Sequence, residues 1–439
     1  MSQKPAAGRI SFRMETALRS NSPGTTLLAK YQHSKIRPRR AVKVAVSPSA
    51  SAPVTLAPRY EVPRDINPLL SPYTLGEFEL SHRVVLAPLT RCRAIGTVPQ
   101  KNAAEYYAQR TSKGGLLISE ATCVAVTGHG YPNTPGVYTE EQINAWKPVT
   151  QAVRDAGGIF FLQLWHCGRS SHPEYQPNGA DPISASAVAI SKGTVTTPSG
   201  DAYPFPVPRA LEISEIPGVV KSYADGARNS LAAGFHGVEI HGANGYLIDQ
   251  FLKSNANKRT DKYGGSIPNR CRFALEVAAA VADAVGPELT GIRLSPYSEF
   301  QEATDPETLD LNLYLVDKLS EMGLLYVHAV EARISGGFEV EGSSESLDPL
   351  RKAFKGCFMV AGGYTRETGI HAIESGHADL VAYGREFISN PDLPLRFARP
   401  DAPLNPYNRD TFYTPDQVVG YLDYPFLKDV SPEAAQLAA

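Results

Sequence analysis

The feature that most constrains the fold of this chain is a regular alternation of apolar and amphipathic segments, which begins near residue 82. Eight apolar segments have the length of strands, at 82–89, 116–124, 159–166, 237–242, 289–295, 324–331, 357–362 and 378–384. The segments between them have helical spacing, at 101–113, 139–156, 216–234, 268–285, 309–323, 346–355 and 366–376. Strands that alternate with helices in this number predict an α/β protein folded as a single (β/α)8 TIM barrel. A doubly wound parallel sheet is the alternative.

Two of the connections between these segments are unusually long. Residues 167–212 follow the third strand and are rich in Pro, Gly and Ser, and residues 243–267 follow the fourth strand. Loops after barrel strands lie over the C-terminal mouth of the barrel, where binding and catalytic residues gather. We therefore expect these two loops to cap a functional site.

The N-terminal region differs from the rest of the chain in composition. Residues 1–59 contain eleven Lys and Arg and a single acid, Glu15, and they lack a long apolar run. This composition predicts that residues 1–58 are a transit peptide or, alternatively, a disordered tail, and that residues 59–439 form the barrel domain. The Ser and Thr content favours the chloroplast over the mitochondrion, and without a transit peptide the protein would be cytoplasmic. No segment approaches the roughly 20 apolar residues that a membrane span requires.

The remainder of the chain is acidic, with 32 Lys and Arg against 44 Asp and Glu. Binding to nucleic acid requires clustered cations, so this balance argues against a nucleic-acid partner. The five cysteines are scattered and no pair has C-x-x-C spacing, which argues against a zinc ribbon or an iron–sulfur cluster.

The fourth strand leads directly into polar residues. Within 237–246, aliphatic residues alternate with Glu239 and His241, and Asn244 and Tyr246 follow at once. The aliphatic residues can face the helices while the polar ones face the barrel axis. An imidazole, an amide and a phenol at the end of one strand indicate a reaction centre.

Two neighbouring strands add polar groups to the same face. Gln163 and Trp165 share one side of the third strand, and Arg293 is flanked by aliphatic residues in the fifth. We therefore expect Gln163, His241 and Arg293 to face the barrel axis at one level. A buried arginine requires an anionic partner, which is either another side chain of the barrel or a bound ligand.

The seventh and eighth strands end in glycines. Gly362 and Gly363 close the seventh strand, and Gly384 and Arg385 follow the eighth. Glycines let backbone N–H groups approach a phosphate, and an arginine neutralises its charge. These residues predict a phosphate-bearing cofactor, and donors from Gln163 would suit the ring of a flavin.

Several motifs of the chain resemble the Old Yellow Enzyme family of flavin ene-reductases. The similarity extends from about residue 67 to Pro425, and within the family it is greatest to plant 12-oxophytodienoate reductases. The motifs that carry it are at 87–91, 163–166, 241–252, 258–266 and 410–413.

This resemblance implies an enzyme that uses bound FMN and NADPH to reduce the C=C bond of an α,β-unsaturated carbonyl. The substrate would be a cyclic oxylipin such as 12-oxophytodienoate, as in oxylipin and jasmonate biosynthesis. The alternatives are a general ene-reductase for foreign enones and a catalytically silent flavin-binding barrel. Both a monomer and a homodimer are compatible with the sequence.

The resemblance also implies individual roles. The implied FMN contacts are Pro88, Leu89 and Thr90 along the ring, Ala121 and Gln163 at the pyrimidine edge, Arg293 at N1 and O2, and Gly362, Gly363, Gly384 and Arg385 at the phosphate. The implied substrate contacts are His241 and Asn244 on the carbonyl oxygen, Tyr246 as proton donor, and Trp165 and Tyr413 around the pocket. Asn244 stands where plant reductases usually carry a second histidine, and residues 167–172 also differ from the plant form. The substrate therefore stays open.

Overall fold

The computed structural model describes Val62, residues 67–336 and residues 338–430 of the chain. The predicted transit peptide or tail, residues 1–58, lies outside this range. The same is true of small parts of the predicted 59–439 domain, including its last nine residues.

Eight parallel strands form a closed barrel. They are β1 (Val84–Leu86), β2 (Leu116–Ile118), β3 (Ile159–Trp165), β4 (Gly237–Gly242), β5 (Thr290–Leu294), β6 (Tyr326–Val330), β7 (Cys357–Ala361) and β8 (Leu380–Tyr383). Each strand pairs with its neighbours along the chain, and β8 pairs with β1 to complete the ring. The predicted (β/α)8 barrel is therefore confirmed, because an open doubly wound sheet would leave two strands with one partner each.

The helices lie between the strands. They are α1 (Asn102–Gln109), α2 (Glu140–Asp155), α3 (Ile216–Ala232), α4 (Leu247–Leu252), α5 (Ile267–Val285), α6 (Thr308–Glu321), α7 (Asp348–Ala353), α8 (Arg366–Glu374), α9 (Arg385–Ser389) and α10 (Leu393–Phe397). The short strand Thr122–Cys123 belongs to the barrel sheet and pairs with β3. The short strands outside the barrel are Tyr73–Leu75, Phe78–Leu80, Ile183–Ser184, Val195–Thr196, Ala202–Tyr203, Arg209–Ala210, Ile334–Ser335 and Phe338–Glu339. The seven predicted helices are present, whereas α4, α9 and α10 were not predicted.

Apolar side chains on the outer and inner faces of the barrel strands belong to two different clusters. Val238, Ile240 and Ile292 pack in the cluster that contains the helices. Inward residues such as Met359 form a second cluster, together with Leu75 and other residues of the hairpin Tyr73–Leu80. This hairpin buries apolar side chains against the barrel interior, which leaves the C-terminal mouth as the place for polar groups.

The long connections after β3 and β4 carry their own local structure. Residues 167–212 contain two small strand pairs, and α4 lies within residues 243–267. Among the described residues, no helix combines the length and apolar character that crossing a membrane would require.

Three buried arginines hold residues 409–423, which we call the C-terminal segment. Arg91 and Arg93 donate hydrogen bonds to backbone carbonyls of residues 411–420 at 2.6–3.2 Å. Arg110 donates to the carbonyl of Tyr421 at 3.3 Å. Because the arginines stand on or beside α1 and the loop after β1, the end of the chain is fastened to its first βα unit.

Candidate active site

A cavity of about 290 Å³ opens at the C-terminal ends of the barrel strands. Eight of the residues predicted to form the site line it, namely Pro88, Leu89, Asn244, Arg293, Gly362, Gly363, Gly384 and Arg385. They come from the ends of β1, β4, β5, β7 and β8, so only a closed barrel can bring them together. The structure thus places a single polar cavity where the sequence indicates cofactor binding.

One end of the cavity has the form of a phosphate cradle. Gly362 and Gly363 have φ values of 136° and 64°, which side-chain-bearing residues rarely adopt. A Cβ built on Gly363 would lie 3.8 Å from Nη2 of Arg385 and 3.9 Å from Nε of Arg333. Arg333 donates from Nε to the Gly362 carbonyl at 2.7 Å, and its buried Nη2 has no hydrogen-bond partner. Two guanidinium groups beside open backbone therefore fit an anionic ligand.

Arg333 was not predicted from the sequence. It follows β6 in Glu-Ala-Arg, a short polar stretch directly after a barrel strand. That position was the available signal, because residues that follow barrel strands point towards the mouth.

The floor of the cavity is polar and buried. Arg293 lies opposite His241 and His328 in the strand register. Its Nε has no hydrogen-bond partner, and burial lowers its pKa while the charge of Glu239 acts in the opposite direction. A buried guanidinium with an unused donor at a cavity wall is suited to a ligand that carries acceptor atoms.

Gln163 pairs in register with Glu239, one inward position before His241 on β4. Because neighbouring strands of a tilted barrel are staggered by about one residue, Gln163 on β3 and Arg293 on β5 lie at similar heights along the barrel axis. Nε2 of Gln163 donates to Oε1 of Glu239 at 2.7 Å.

An aromatic cluster of His241, Trp165 and Tyr246 lies next to Arg293. The ring of His241 stacks on Trp165 at 6.2 Å and meets Tyr246 edge-on at 5.1 Å. Burial holds the pKa of His241 well below its usual range, so the imidazole is neutral. Its Nδ1 accepts a hydrogen bond from the Ala243 N–H at 3.3 Å, which assigns the ring proton to Nε2. His241 can therefore donate one hydrogen bond from Nε2.

Tyr246 is buried next to a second phenol that the sequence did not single out. Its hydroxyl lies 2.9 Å from the hydroxyl of Tyr131, which accepts a hydrogen bond from Nε2 of Gln301 at 3.0 Å. Burial raises the pKa of Tyr246 well above its usual range, and the Tyr131 side chain acts in the same direction. Tyr246 is thus a protonated phenol at neutral pH.

Asn244 adopts the left-handed conformation, with φ of 58°. Asparagine tolerates this region better than most residues, and strained backbone often marks a functional site. The Asn244 N–H donates to Oγ of Ser295 at 2.7 Å. This contact fixes the backbone of Asn244 where its amide lines the cavity.

The other predicted residues lie at or near the same region. Ala121 is buried with Trp165 and Tyr246 in one small cluster, and Thr90 follows Leu89 in a half-buried position. Tyr413 belongs to the C-terminal segment and is 63% exposed, with its ring against Phe412. It stands at the rim and is not packed on Trp165.

A titratable network lies behind the cradle. His377 bridges two carboxylates, with Nε2 2.8 Å from Glu331 and Nδ1 2.6 Å from Asp348, and Tyr364 donates to Glu331. The contact with Glu331 raises the pKa of His377, although burial opposes it, and the contact with His377 lowers the pKa of Asp348. The network therefore carries a protonated imidazole between two carboxylates.

Stability is expected to depend on pH through this network. His377 makes its full contribution to the free energy of unfolding below the pKa of the unfolded state, about 6.5. This contribution is lost as the pH rises through the raised pKa of His377 in the folded state. Asp348 contributes to the free energy of unfolding above the pKa of the unfolded state, about 4. This contribution is lost as the pH falls through the lowered pKa of Asp348 in the folded state. We expect His377→Gln to destabilise the protein by about 1 kcal/mol or less, mostly between about pH 4 and 6.5. Unfolding curves of both proteins from pH 5 to 9 should converge at high pH; a constant difference contradicts the assignment.

Comparison with known proteins is consistent with this geometry. Residues 68–401 match the NADH:flavin oxidoreductase / NADH oxidase family. The chain is 54% identical to 12-oxophytodienoate reductase 2 of Arabidopsis thaliana, over 83% of this chain and 97% of that protein. It is 53% identical to 12-oxophytodienoate reductase 1 of Oryza sativa subsp. japonica, over 84% and 95%.

Solved structures show the same similarity. Morphinone reductase in complex with tetrahydroNAD aligns with a TM-score of 0.76 and 44% identity, over 82% of this chain and 97% of that chain. The Old Yellow Enzyme homologue from Zymomonas mobilis aligns with a TM-score of 0.77 and 41% identity, over 81% and 99%. These values confirm the resemblance drawn from the sequence motifs.

Proposed function

Because the chain belongs to the NADH:flavin oxidoreductase / NADH oxidase family, we propose that it is an FMN-dependent ene-reductase that uses NADPH. Its substrates would be α,β-unsaturated carbonyl compounds. The observation that carries this proposal is the group of donors at the end of β4. The amide of Asn244 lines the cavity, and the neutral His241 with a free Nε2–H packs edge-on at 5.1 Å against the protonated phenol of Tyr246 on the same loop.

The cavity fits FMN. The orphaned Nη2 of Arg333, the guanidinium of Arg385 and the two cradle glycines suit its phosphate, and the unused Nε of Arg293 suits its electron-rich pyrimidine edge. The remaining contacts that we propose are Pro88, Leu89 and Thr90 along the ring, Ala121 and Gln163 at the pyrimidine edge, and Gly384 at the phosphate. FMN, when bound, supplies the hydride from NADPH to the β-carbon of the enone.

The side chains of this chain perform the remaining tasks. His241 and Asn244 donate hydrogen bonds to the carbonyl oxygen, where negative charge develops; one such donor is typically worth about 3–4 kcal/mol. Tyr246 gives its proton to the α-carbon. Trp165 orients His241 by stacking on it, and Tyr413 borders the pocket from the C-terminal segment.

We propose a cyclic oxylipin such as 12-oxophytodienoate as the substrate, which would place the enzyme in jasmonate biosynthesis. Two relatives more than 50% identical are named for reduction of this compound. A general role in reducing foreign enones is the second candidate, because Asn244 stands where a histidine was expected.

Turnover with a panel of enones tests the proposed function. The panel contains cyclohexenone, a linear enal and both enantiomers of 12-oxophytodienoic acid. The purified protein should be yellow and should oxidise NADPH in the presence of enones, with one enantiomer strongly preferred. Equal turnover of all compounds favours the general role. A yellow protein without turnover favours a silent flavin-binding barrel, and one that takes up no FMN contradicts the proposal.

Arg385→Ala is expected to weaken FMN binding about 10- to 150-fold. The substitution removes a charge-assisted contact worth roughly 1.5–3 kcal/mol, and each 1.4 kcal/mol is about tenfold in affinity. Titration of apoprotein with FMN measures the change. Arg351→Ala is the matched control, because Arg351 pairs with Asp379 outside the cavity. An equal loss of FMN affinity in Arg385→Ala and Arg351→Ala would contradict a specific contact of Arg385 with FMN.

We also propose that residues 1–58 direct the protein to the chloroplast, or form a disordered tail of a cytoplasmic enzyme. Their composition supports this, and deletion of residues 1–58 is expected to leave FMN content and turnover unchanged. Loss of bound FMN in the shortened protein would assign the segment a structural role. Fusion of residues 1–58 to a fluorescent reporter would show whether they direct import.

A further inference from the structure

A buried carboxylate outside the proposed donors, that of Glu239, links two of the inward-facing side chains of the barrel. It is fully buried inside the barrel, below the floor of the cavity. Oε1 accepts from Nε2 of Gln163 at 2.7 Å and Oε2 accepts from Nδ1 of His328 at 2.9 Å. Glu239 lies one inward position below His241 on β4 and opposite Gln163 on β3.

The two hydrogen bonds fix the orientation of their donors. A carboxylate only accepts, so Gln163 must turn its NH₂ group towards Glu239 and its oxygen away from it. For the same reason His328 carries its proton on Nδ1, and burial lowers its pKa although Glu239 opposes the change. Glu239 therefore decides which atom of the Gln163 amide is available to a ligand.

Glu239 is also the negative charge that compensates Arg293. The charge of Glu239 raises the pKa of Arg293 against the effect of burial, yet Arg293 forms no hydrogen bond with it. The charge of the guanidinium is thus compensated by Glu239 without a direct hydrogen bond, so its N–H donors can bind a ligand in the cavity. Charges in such a buried setting interact strongly because water does not screen them.

We propose that Glu239 is a positioning residue that presents the oxygen of Gln163 to the pyrimidine edge of FMN and sets the electrostatic potential there. The inference rests on the proposed function, since it requires FMN in the cavity. It adds a residue below the site that controls how readily the bound flavin accepts electrons. The carboxylate opposes the build-up of negative charge, whereas Arg293 favours it.

Two substitutions separate charge from geometry. Glu239→Gln keeps the length of the side chain and removes its charge, and His328 can change tautomer to satisfy the new amide. Glu239→Asp keeps the charge but is one methylene shorter, so it cannot reach both partners. Asp392→Asn is the matched control, because Asp392 is another buried carboxylate, paired with Arg396 on α10.

The two-electron midpoint potential of bound FMN is the decisive measurement. Glu239→Gln is expected to make reduction more favourable by about tenfold or more, equivalent to about 30 mV. In Glu239→Asp, the equilibrium constant for reduction of bound FMN is expected to stay within about twofold of the wild-type value. The same variant is expected to bind FMN about fivefold or more weakly. Asp392→Asn should change neither quantity.

The outcomes distinguish this inference from the proposed function. If Glu239→Gln binds FMN and its potential is unchanged, the electrostatic role is wrong while the proposed function stands. If Glu239→Gln does not fold, Glu239→Asp decides, because unchanged FMN affinity in that variant overturns the positioning role. If the wild-type protein binds no FMN, the proposed function is contradicted, and the inference about Glu239 is contradicted with it.

Discussion

Tyr246→Phe is expected to slow the oxidation of the reduced enzyme by an enone about 10²- to 10⁴-fold, the usual range for a lost general acid. The ring is retained, so its edge contacts with His241 and Trp165 should persist. Bleaching of the flavin absorbance by NADPH needs no proton from Tyr246 and should keep a rate close to normal. Stopped-flow measurement of the two half-reactions separates these effects.

Tyr131→Phe is the matched control for this experiment. It removes the hydrogen-bond partner of Tyr246 but leaves the Tyr246 hydroxyl in place, so enone reduction should slow less than in Tyr246→Phe. Nitroalkenes, whose addition products are already stabilised, should be less sensitive to both changes. Unchanged enone turnover in Tyr246→Phe would show that another group or a water is the proton donor.

His241→Ala is expected to lower enone turnover about 10²- to 10³-fold, as the loss of one oxyanion donor usually does. Because the proposed contact of the Nε2–H with the carbonyl oxygen would form in both the bound substrate and the transition state, KM should rise and kcat should fall. Steady-state kinetics with cyclohexenone measures both constants.

His82→Ala controls for the removal of a buried imidazole. His82 lies just before β1 and contacts Ser112, away from the mouth. Its replacement should cost stability without a selective loss of enone turnover. If both histidine variants lose activity equally, the donor role of His241 is contradicted.

The fold was predictable because its signal is repeated along the chain. Each barrel strand is a short apolar run, and burial on two faces of a parallel sheet leaves little choice of composition. The helices α4, α9 and α10 were not predicted because five or six residues rarely show a helical period, whereas α7, of the same length, falls within the longer predicted stretch 346–355. Their residues are held by packing in the finished barrel.

The candidate site was predictable where its residues sit on strands. Alternation alone places Glu239, His241 and Arg293 on the inner face, because neighbours in a strand point to opposite sides. Arg333, Tyr131 and Gln301 lie on loops, whose partners are distant in sequence. No local pattern encodes such contacts, so they emerge only when the barrel closes.

The fastening of the C-terminal segment also bears on how the protein is made. A ribosome makes residues 411–421 long after Arg91, Arg93 and Arg110, yet their carbonyls satisfy the buried guanidinium groups of these arginines in the first βα unit. A buried guanidinium without acceptors is costly, so the first βα unit is not stabilised until residues 411–421 have been made. Chains that terminate before residue 411 should therefore stay recognisable to chaperones and proteases.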